Sequence, residues 1–375
     1  MTTQVQTSGT VNLFSMVGLA GLVAAFGFGM FSLMSEGHGS FNSGSDGISW
    51  GLPVVNYIYF VLVSAGLTMF ASLALTFGSK AFYPIAKRCV WLSLVGLAAG
   101  FASLAMEIGH PFRMLWTLPF SFQYLSPLNW MGIFYAVFIV FGVMKFLRLH
   151  NEDWDSATSK KVGAVALVAE LLAACTLAMA FGALAMRPMW FSPLVPVYFL
   201  LTALCSGGAV ALLTCYLTYG DEQSMPAGVR NLVNGLLPTV LAAVLGVTII
   251  IGAYQVVIGL WSNADGLQVW DYIVSTPWFW IEVAAMLGAL YLLLQRKALM
   301  VAAGLILLGM FIHRYEFVVG GQMVPLMKGS WVPELIPYVP SLTEWAMTVM
   351  SFSIVAVGWA FGEKMLNLGA APKEE

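Results

Sequence analysis

Ten apolar segments, each long enough to cross a lipid bilayer, constrain the fold of this chain more than any other feature. A helical crossing takes about 20 apolar residues. The chain is 60% hydrophobic and only 9% charged, whereas about a quarter of the residues of a soluble domain are charged. We therefore predict an all-α integral membrane protein with ten transmembrane helices. Numbered 1 to 10 in chain order, the segments cover roughly residues 12–34, 53–77, 88–107, 128–148, 162–185, 194–219, 232–261, 277–295, 298–318 and 343–362.

The basic residues are distributed unevenly between the two sides of this predicted bundle. Ten crossings place both termini on one side, and that side holds twelve of the 16 Lys and Arg residues. Since cytoplasmic loops are enriched in Lys and Arg, both termini are predicted to be cytoplasmic. Residues 1–10 lack the basic region and cleavage site of a signal peptide, so segment 1 is expected to be retained. The twelve are Lys80, Lys87, Arg88, Lys145, Arg148, Lys160, Lys161, Arg230, Arg296, Lys297, Lys364 and Lys373; the other four are Arg113, Arg187, Arg314 and Lys328.

The predicted outer loops are longer than the inner ones and rich in Gly, Pro and Trp. They cover residues 35–52, 108–127, 186–193, 262–276 and 319–342. One interpretation is ordered structure at the membrane surface on which a partner protein docks. The other is that these loops only carry the aromatic residues that are common at membrane interfaces.

An internal repeat relates the two halves of the chain. Residues 59–66 (YFVLVSAG) resemble residues 198–208 (YFLLTALCSGG), and Pro127–Trp130 resembles Pro277–Trp280. Each pair is four segments apart, so the repeats run in the same direction across the membrane. Both stretches of the first pair, residues 59–66 and 198–208, end in small residues, which would let the helices that carry them approach closely. Parallel repeats also occur in transporters, so the repeat alone does not select a function.

The repeat predicts two parallel four-helix bundles, formed by helices 2–5 and 6–9, with helices 1 and 10 flanking them. We expect residues 1–375 to form a single polytopic membrane domain. Its predicted parts are 12–52 (first helix and outer loop), 53–185 (bundle 1), 194–318 (bundle 2) and 319–375 (outer loop, last helix and inner tail).

Ionisable and polar residues converge on the outer side of the predicted membrane region. Charged residues inside membrane segments are functional candidates because burying them in lipid is costly. Glu107 ends segment 3, Glu282 lies near the start of segment 8, and Arg314 lies near the end of segment 9. Further polar groups are expected on the same side: His110, Arg113, Asn129, Arg187, Tyr254, Gln255, His313, Glu316, Gln322 and Glu344.

A polar layer of this kind can bind a quinone headgroup. The two carbonyl oxygens of a quinone need hydrogen-bond donors, and oxidation of a quinol releases two protons. We expect Glu107 and His110 to accept those protons, since His changes charge near neutral pH and a carboxylate is a common general base. The alternative is that the acids form interhelical ion pairs with Arg113, Arg187 or Arg314. The predicted binding residues are Asn129, Trp130, Arg113, Arg187, Tyr254, Glu282, Arg314 and Gln322.

Glu170 stands apart, in the middle of segment 5 and away from the outer layer. It could relay protons from the inner side, with Glu282 as a second candidate for such a path. Alternatively, it could hydrogen-bond a neighbouring helix while protonated.

The sequence carries no pattern typical of a resident redox centre. Cys89, Cys175, Cys205 and Cys215 show no metal-ligand spacing, and no Cys-x-x-Cys-His motif is present. Among the four His residues, His110 and His313 are expected on the same side and could in principle pair as haem ligands, but each lies beside a loop or helix end and no second pair exists. We therefore expect no haem, iron–sulfur cluster or metal in this chain.

Several of these stretches together resemble the NrfD/polysulfide-reductase family of membrane subunits. The resemblance rests on residues 107–113 (EIGHPFR), 126–130 (SPLNW), 187–193 (RPMWFSP), 279–282 (FWIE) and 314–322 (RYEFVVGGQ), with 338–344 (YVPSLTE) closing the pattern. They are most similar to the ten-helix branch, which includes membrane subunits of the Hmc and Dsr complexes, tetrathionate reductase, hydrogenase-2 and alternative complex III. Glu107 replaces the more usual Asp, and Glu316 stands where Asn is common.

This resemblance implies a quinone-interacting subunit of a respiratory oxidoreductase complex in a prokaryotic cytoplasmic membrane. Menaquinone or ubiquinone would be its substrate. Electrons would pass between the quinol and a ferredoxin-like iron–sulfur subunit on the outer face, and on to a catalytic or multihaem cytochrome subunit. Proton translocation is left open. The alternatives are a secondary transporter or ion channel, and a purely structural membrane anchor.

Overall fold

Ten long helices dominate the structure and confirm the predicted fold class. The computed structural model describes residues 9–44, 47–110, 112–262, 268–325 and 334–372, without the side chains of residues 114, 115, 117 and 118. The ten long helices are α1 (Gly9–Glu36), α2 (Leu52–Leu75), α3 (Tyr83–Glu107), α5 (Pro127–His150), α6 (Ala157–Gly182), α7 (Val195–Tyr219), α9 (Leu236–Ser262), α11 (Pro277–Gln295), α12 (Leu299–Gly320) and α13 (Leu342–Met365). Short helices α4 (Arg113–Phe120), α8 (Ala227–Asn234) and α10 (Val269–Ser275) and 3₁₀ turns at Gly37–Ser40 and Lys80–Phe82 connect them.

The long helices pack as two four-helix bundles with the same internal arrangement. In bundle 1, α2 and α5 each pack against α3 and α6. In bundle 2, α7 and α11 each pack against α9 and α12. The bundles meet where α2 packs on α7, and the contacts of α6 with α7 and of α12 with α2 repeat each other. Each helix contact in bundle 1 therefore has an equivalent contact in bundle 2, as the predicted parallel repeat requires.

The repeat extends to the way the helices begin. Both α5 and α11 begin at a proline, where the missing N–H is tolerated because the first helical N–H groups have no partner within the helix. Trp130 donates its indole N–H to the carbonyl of Tyr124 at 2.8 Å, and Trp280 donates to Val274 at 2.9 Å. Each bond joins the fourth helical residue to the carbonyl six residues earlier. This shared device orders the segment that precedes each helix.

A close crossing of α2 and α7 joins the two bundles. A Cβ atom on Gly66 would overlap the carbonyl oxygen of Ala203, and one on Gly207 would overlap the backbone of Gly66. Only glycine permits this approach, in agreement with the small-residue contact predicted from the sequence. Helix α2 lies between the other helices of bundle 1 and helix α7 of bundle 2, and it is consequently buried along almost its whole length.

Helices α1 and α13 flank the bundles as a pair. Val11, Gly18, Ala25 and Ser32, buried and spaced seven residues apart, form a seam on α1, and α1 packs mainly on α13. Helix α13 in turn packs on α3 and α2. A bidentate ion pair fixes its end, with Arg88 Nε donating to Glu363 Oε1 at 2.5 Å and Nη2 donating to Oε2 at 3.2 Å.

The two ends of the bundles differ in their connections. Among the described residues, the long-loop face carries 37–44, 47–51, 108–110, 112–126, 183–194, 268–276, 321–325 and 334–341, and the short-loop face carries 76–82, 151–156, 220–235 and 296–298. The basic residues predicted for the inner side lie on or near the short-loop face, except Lys373, which is outside the described residues. Lys328 of the long-loop set is also outside them. The cytoplasmic placement of the short-loop face stays a prediction.

Candidate functional site

An open cleft lies at the mouth of bundle 1 on the long-loop face. Helix α3 ends at Glu107, and the chain then turns through Gly109 and His110 into the short helix α4. The cleft has a volume of about 590 Å³, and its apolar wall includes two aromatic rings. A pocket of 300–1,000 Å³ with a few polar groups is of the size that binds small molecules. Its lining residues are Gly109, His110, Phe112, Arg113 and Trp116.

Glu107 ends α3 two residues before the first residue that lines the cleft, and one of its carboxylate oxygens makes no hydrogen bond within the described residues. Ser43 donates its hydroxyl to Glu107 Oε1 at 3.3 Å. The other oxygen, Oε2, is buried and has no hydrogen-bond partner within the described part of the chain. His38 holds the helix end, since its Nε2 lies 3.0 Å from the Glu107 carbonyl. The sequence did not single out Ser43 or His38, which reach Glu107 through the loop after α1.

A second carboxylate near the mouth, Glu344, is fully engaged. Its exposed fraction is 0%. Tyr338 donates its hydroxyl to Oε1 at 2.6 Å, and the Ser341 N–H donates to Oε2 at 2.6 Å as part of a capping box. The Tyr338 hydroxyl also accepts the Leu52 N–H at 2.7 Å. Burial, together with the Glu344 carboxylate, raises the pKa of Tyr338. Glu344 therefore joins the start of α13 to the start of α2. Its negative charge also repels negative charge on the Glu107 carboxylate.

Arg187 and Gln322 are committed to holding loops together. Gln322 accepts the N–H groups of Ser49 and Trp50 at 3.0 and 2.9 Å, and it donates to the carbonyls of Trp50 and Val318. Arg187 donates to the carbonyl of Gln322 at 3.0 Å and to that of Val324 at 2.5 Å. Both residues were predicted to bind a quinone. Their polar groups contact backbone and do not line the cleft, and their role in quinone binding stays a prediction.

Asn129 and Trp130 order the segment between α4 and α5. Asn129 donates to the carbonyl of Gln123 at 3.3 Å, and the Trp130 ring packs on Phe134 with ring centroids 5.9 Å apart. Both belong to the same mouth as Glu107 and His110, although neither lines the cleft. Tyr254, on α9, is 57% exposed and belongs to bundle 2.

Bundle 2 holds a separate polar cluster near its long-loop end. His313 Nδ1 lies 3.0 Å from Glu282 Oε1, which joins α12 to α11. Glu316, three residues after His313 on α12, adds a second carboxylate that interacts electrostatically with Glu282. Three polar atoms of the cluster lack a partner within the described residues: Glu282 Oε2, His313 Nε2 and Glu316 Oε1. His313 and Glu316, not among the predicted binding residues, lie three apart on α12, and this spacing places them on one helix face.

Arg314 occupies the interior of bundle 2. It is 2% exposed, its guanidinium carbon lies 4.5 Å from the centroid of the Phe199 ring, and it donates to Thr202 Oγ1. Glu282 contributes a favourable charge interaction. The alternative of an ion pair between Glu107 and Arg187 or Arg314 is not observed, because both arginines make these other contacts.

Glu170 lies in the centre of bundle 1. It is 0% exposed, and Ser64 of α2 donates to its Oε1 at 2.8 Å. Its Oε2 has no hydrogen-bond partner in the part of the chain that the structure describes. The polar groups predicted for one layer are thus divided between two places, the mouth of bundle 1 and the interior of bundle 2. Glu170, which was predicted to lie apart from that layer, is in the middle of bundle 1.

The fold and this site define a class: a polytopic α-helical membrane protein of two repeated four-helix bundles, with a carboxylate and a histidine at an open mouth on one side. Residues 41–326 match the family described as Polysulphide reductase, NrfD, and the chain belongs to that family. The resemblance inferred from the sequence motifs is thereby confirmed.

Three curated relatives extend the comparison. The chain is 25% identical over 378 residues to a selenate reductase subunit of Mesobacillus selenatarsenatis, with 87% of each chain covered. It is 21% identical over 390 residues to the Hdr-like menaquinol oxidoreductase integral membrane subunit of Archaeoglobus fulgidus, covering 96% of this chain and 94% of that one. It is 23% identical over 315 residues to protein NrfD of Escherichia coli, covering 74% and 96%.

Proposed function

We propose that this chain is the quinone-reacting subunit of a respiratory oxidoreductase complex, exchanging electrons between a membrane quinol and a partner iron–sulfur subunit. One observation carries the proposal: an open cleft lined by His110 at the mouth of bundle 1 directly follows the end of α3, where one carboxylate oxygen of Glu107 has no hydrogen-bond partner within the described residues. The names of two relatives, a menaquinol oxidoreductase subunit and a selenate reductase subunit, support it.

The cleft suits the chemistry of quinol oxidation. Removing two electrons from a quinol also removes two protons from its hydroxyl groups, so two acceptors must lie near the headgroup. Glu107 Oε2 and a ring nitrogen of His110 are proposed to take these protons. The aromatic rings of Phe112 and Trp116 in the cleft lining provide apolar surface for a flat ring, and Arg113 adds a cation to the same wall.

The long-loop face is proposed as the docking side for the electron partner. Electron transfer requires that the quinol headgroup lie close to the partner's redox centre, and the cleft opens on this face. We propose a ferredoxin-like iron–sulfur subunit there, with a catalytic or multihaem cytochrome subunit beyond it. The clustering of Lys and Arg at the short-loop face supports a cytoplasmic location for that face and for both termini, in a prokaryotic cytoplasmic membrane.

Neutralising the proton acceptors tests the proposal. The complex would be purified through a tag on this chain, and oxidation of menadiol, a short menaquinol analogue, would be measured with the natural acceptor of the complex. We expect Glu107→Gln and His110→Ala each to lower turnover by at least about 100-fold, since a positioned general base contributes 10²–10⁴-fold. The set of proteins that co-purify and the thermal stability of the complex should stay unchanged.

Matched variants separate chemistry from charge. Glu107→Asp keeps a carboxylate and is expected to retain most activity, whereas Glu36→Gln removes an exposed acid near the same face and should have no effect. Wild-type turnover in both Glu107→Gln and His110→Ala would rule out this cleft as the quinol site.

The parallel repeat favours one competing function, that of a secondary transporter. Two equivalent bundles with polar groups near the membrane centre are also found in transporters. In proteoliposomes containing only this chain, a transporter would catalyse solute uptake without any redox partner. A quinone-reacting subunit would show no such flux and would bind menadione with an affinity that depends on His110.

A further inference from the structure

A line of hydroxyl side chains follows one face of α2 in bundle 1. Ser64, Thr68, Ser72 and Thr76 are spaced four residues apart, a spacing that places them above one another on a helix. The line starts at the middle of the bundle, where Ser64 donates to Glu170 at 2.8 Å, and ends beside the short-loop face, one residue past the end of α2.

Two of these hydroxyls lack the hydrogen bond that is common for threonines of the long helices, a property that they share with Thr218 of α7 among the described residues. A threonine within a helix commonly donates to the carbonyl four residues earlier, as Thr202, Thr214 and Thr248 do at 2.8–2.9 Å. Thr68 Oγ1 and Thr76 Oγ1 have no hydrogen-bond partner within the described residues. Their hydroxyl groups therefore remain available to another donor or acceptor.

A small cavity lies against this line. Its volume is about 20 Å³, and a cavity above about 10–15 Å³ can hold one water molecule if two to four polar groups surround it. Four polar side chains meet this condition, from three helices of bundle 1. They are Thr68 and Ser72 of α2, Ser93 of α3 and Lys145 of α5.

Lys145 lies where the cavity approaches the short-loop face. Its Nζ donates to Ser159 Oγ at 2.7 Å and to the Ser159 carbonyl at 3.2 Å, at the start of α6, and to the Trp154 carbonyl at 3.4 Å. Gly163 allows the line to reach this point, since a Cβ there would lie 3.3 Å from Thr76 Oγ1 and 3.5 Å from Lys145 Cε. The polar groups thus run from the short-loop end of bundle 1 to its centre.

Glu170 lies at the end of the line that is at the centre of bundle 1. It is completely buried, and one of its oxygens is unengaged. A carboxyl group in an apolar interior needs a function or a hydrogen-bond network to offset its desolvation cost. On the long-loop side, Tyr57 and Tyr135 lie near Glu170, and the Tyr57 hydroxyl donates to Met131 Sδ at 3.3 Å.

We infer that bundle 1 contains a proton-conducting half-channel that joins the short-loop face to Glu170 through Lys145, the cavity water, Ser72 and Thr68. Each transfer breaks one O–H or N–H bond and forms another, so a proton that enters at Lys145 leaves as a proton on the Glu170 carboxyl group. No oxidant or reductant takes part. The inference extends the proposed function, because it supplies the proton route on the side opposite the quinol cleft.

Hydrogen–deuterium exchange at Glu170 tests the half-channel without electron transfer. Infrared spectra of the purified protein in liposomes, recorded across a pH range, would show the C=O stretch of the protonated Glu170 carboxyl, assigned by its loss in Glu170→Gln. On transfer to D₂O we expect this band to shift quickly in the wild type. The combined substitution Thr68→Val with Ser72→Ala should slow the shift by at least about tenfold, because exchange would then require opening of the bundle.

Control variants distinguish a channel from loosened packing. Thr214→Val removes a buried helical hydroxyl of bundle 2 and should leave the Glu170 exchange rate unchanged. Thr68→Ser keeps the hydroxyl and should exchange at the wild-type rate. Gly163→Val, which fills the space between Thr76 and Lys145, should slow exchange even if the double variant does not fold.

Two results would overturn the inference. One is wild-type exchange in a folded Thr68→Val/Ser72→Ala protein and in Gly163→Val. The other is a Glu170 carboxyl that does not exchange in the wild type, which would leave Ser64–Glu170 as an interhelical hydrogen bond alone. Neither result depends on Glu107 or His110, so the quinol site and the half-channel can fail independently.

Discussion

Two carboxylates at the mouth of bundle 1 differ in how their oxygen atoms are used. Glu344 accepts from Tyr338 and from the Ser341 N–H, each at 2.6 Å. Glu107 accepts one longer bond from Ser43, and its second oxygen has no hydrogen-bond partner among the residues that the structure describes. A carboxylate whose oxygens are filled by the protein stabilises the fold, whereas one with an unengaged oxygen at a cleft can accept a proton from a ligand. The sequence motifs included both acids but could not separate these roles.

The Glu344→Ala substitution should therefore affect stability rather than chemistry. It removes the capping box of α13 and leaves the Tyr338 hydroxyl without its acceptor. Ser341 still caps the helix through the backbone N–H of residue 344, but each lost hydrogen bond to the Glu344 carboxylate contributes about 0.5–1.5 kcal/mol. We therefore expect a clear fall in the midpoint of thermal unfolding in detergent. Glu107→Ala should leave that midpoint nearly unchanged. Equal stability of the two variants would contradict this division of roles.

Arg314 offers a second test of a buried polar contact. Its guanidinium donates to Thr202 Oγ1, and Thr202 in turn donates to the Tyr198 carbonyl. Thr202→Val keeps the side-chain shape but removes the acceptor for a buried cation, which should cost about 1–3 kcal/mol. In Thr214→Val only a hydrogen bond within α7 is lost, so its effect should be smaller. Thermal unfolding of both variants in the same detergent gives the comparison, and equal destabilisation would contradict it.

At the scale of whole helices, the apolar pattern predicted where the long helices lie in the chain, because that position depends on each segment alone. Segment 53–77 corresponds to Leu52–Leu75 and segment 277–295 to Pro277–Gln295. The short helices α4 and α10 were not predicted, because seven or eight residues provide too few turns for a clear periodicity. Segment 232–261 spans a break at Gly235, where α8 ends and α9 begins one residue later. Its apolar character continues across this break.

The α2–α7 crossing permits a test of a packed helix pair. Gly66→Ala would drive a Cβ into the carbonyl oxygen of Ala203, and neither backbone can shift without separating the bundles. We expect little folded protein in membranes, judged by monodisperse size-exclusion chromatography after detergent extraction. Gly304→Ala, at a helical position where a Cβ would meet nothing within 4 Å, should fold normally and gain up to about 1 kcal/mol from helix propensity.

Across the whole molecule, the two bundles share a helix arrangement but not their polar residues. Glu170 and its hydroxyl line belong to bundle 1, while Glu282, His313 and Arg314 belong to bundle 2. The sequence placed Glu282 and Arg314 at the correct depth, since depth follows from position along a helix. The predicted bundles also separated segments 8 and 9 from segment 3. The sequence could not show that Glu282 and Arg314 form their own cluster inside bundle 2, because that depends on how the side chains pack.

The orientation of the whole molecule decides on which side of the membrane the cleft opens. Ser121 on the long-loop face and Gln223 on the short-loop face are both exposed, so each can be replaced by cysteine in a variant lacking Cys89, Cys175, Cys205 and Cys215. If Lys and Arg set the orientation, a membrane-impermeant maleimide added to intact spheroplasts should label Ser121→Cys. It should label Gln223→Cys only after permeabilisation. The reverse pattern would place the cleft on the cytoplasmic side, and a partner docked at the long-loop face would then be cytoplasmic.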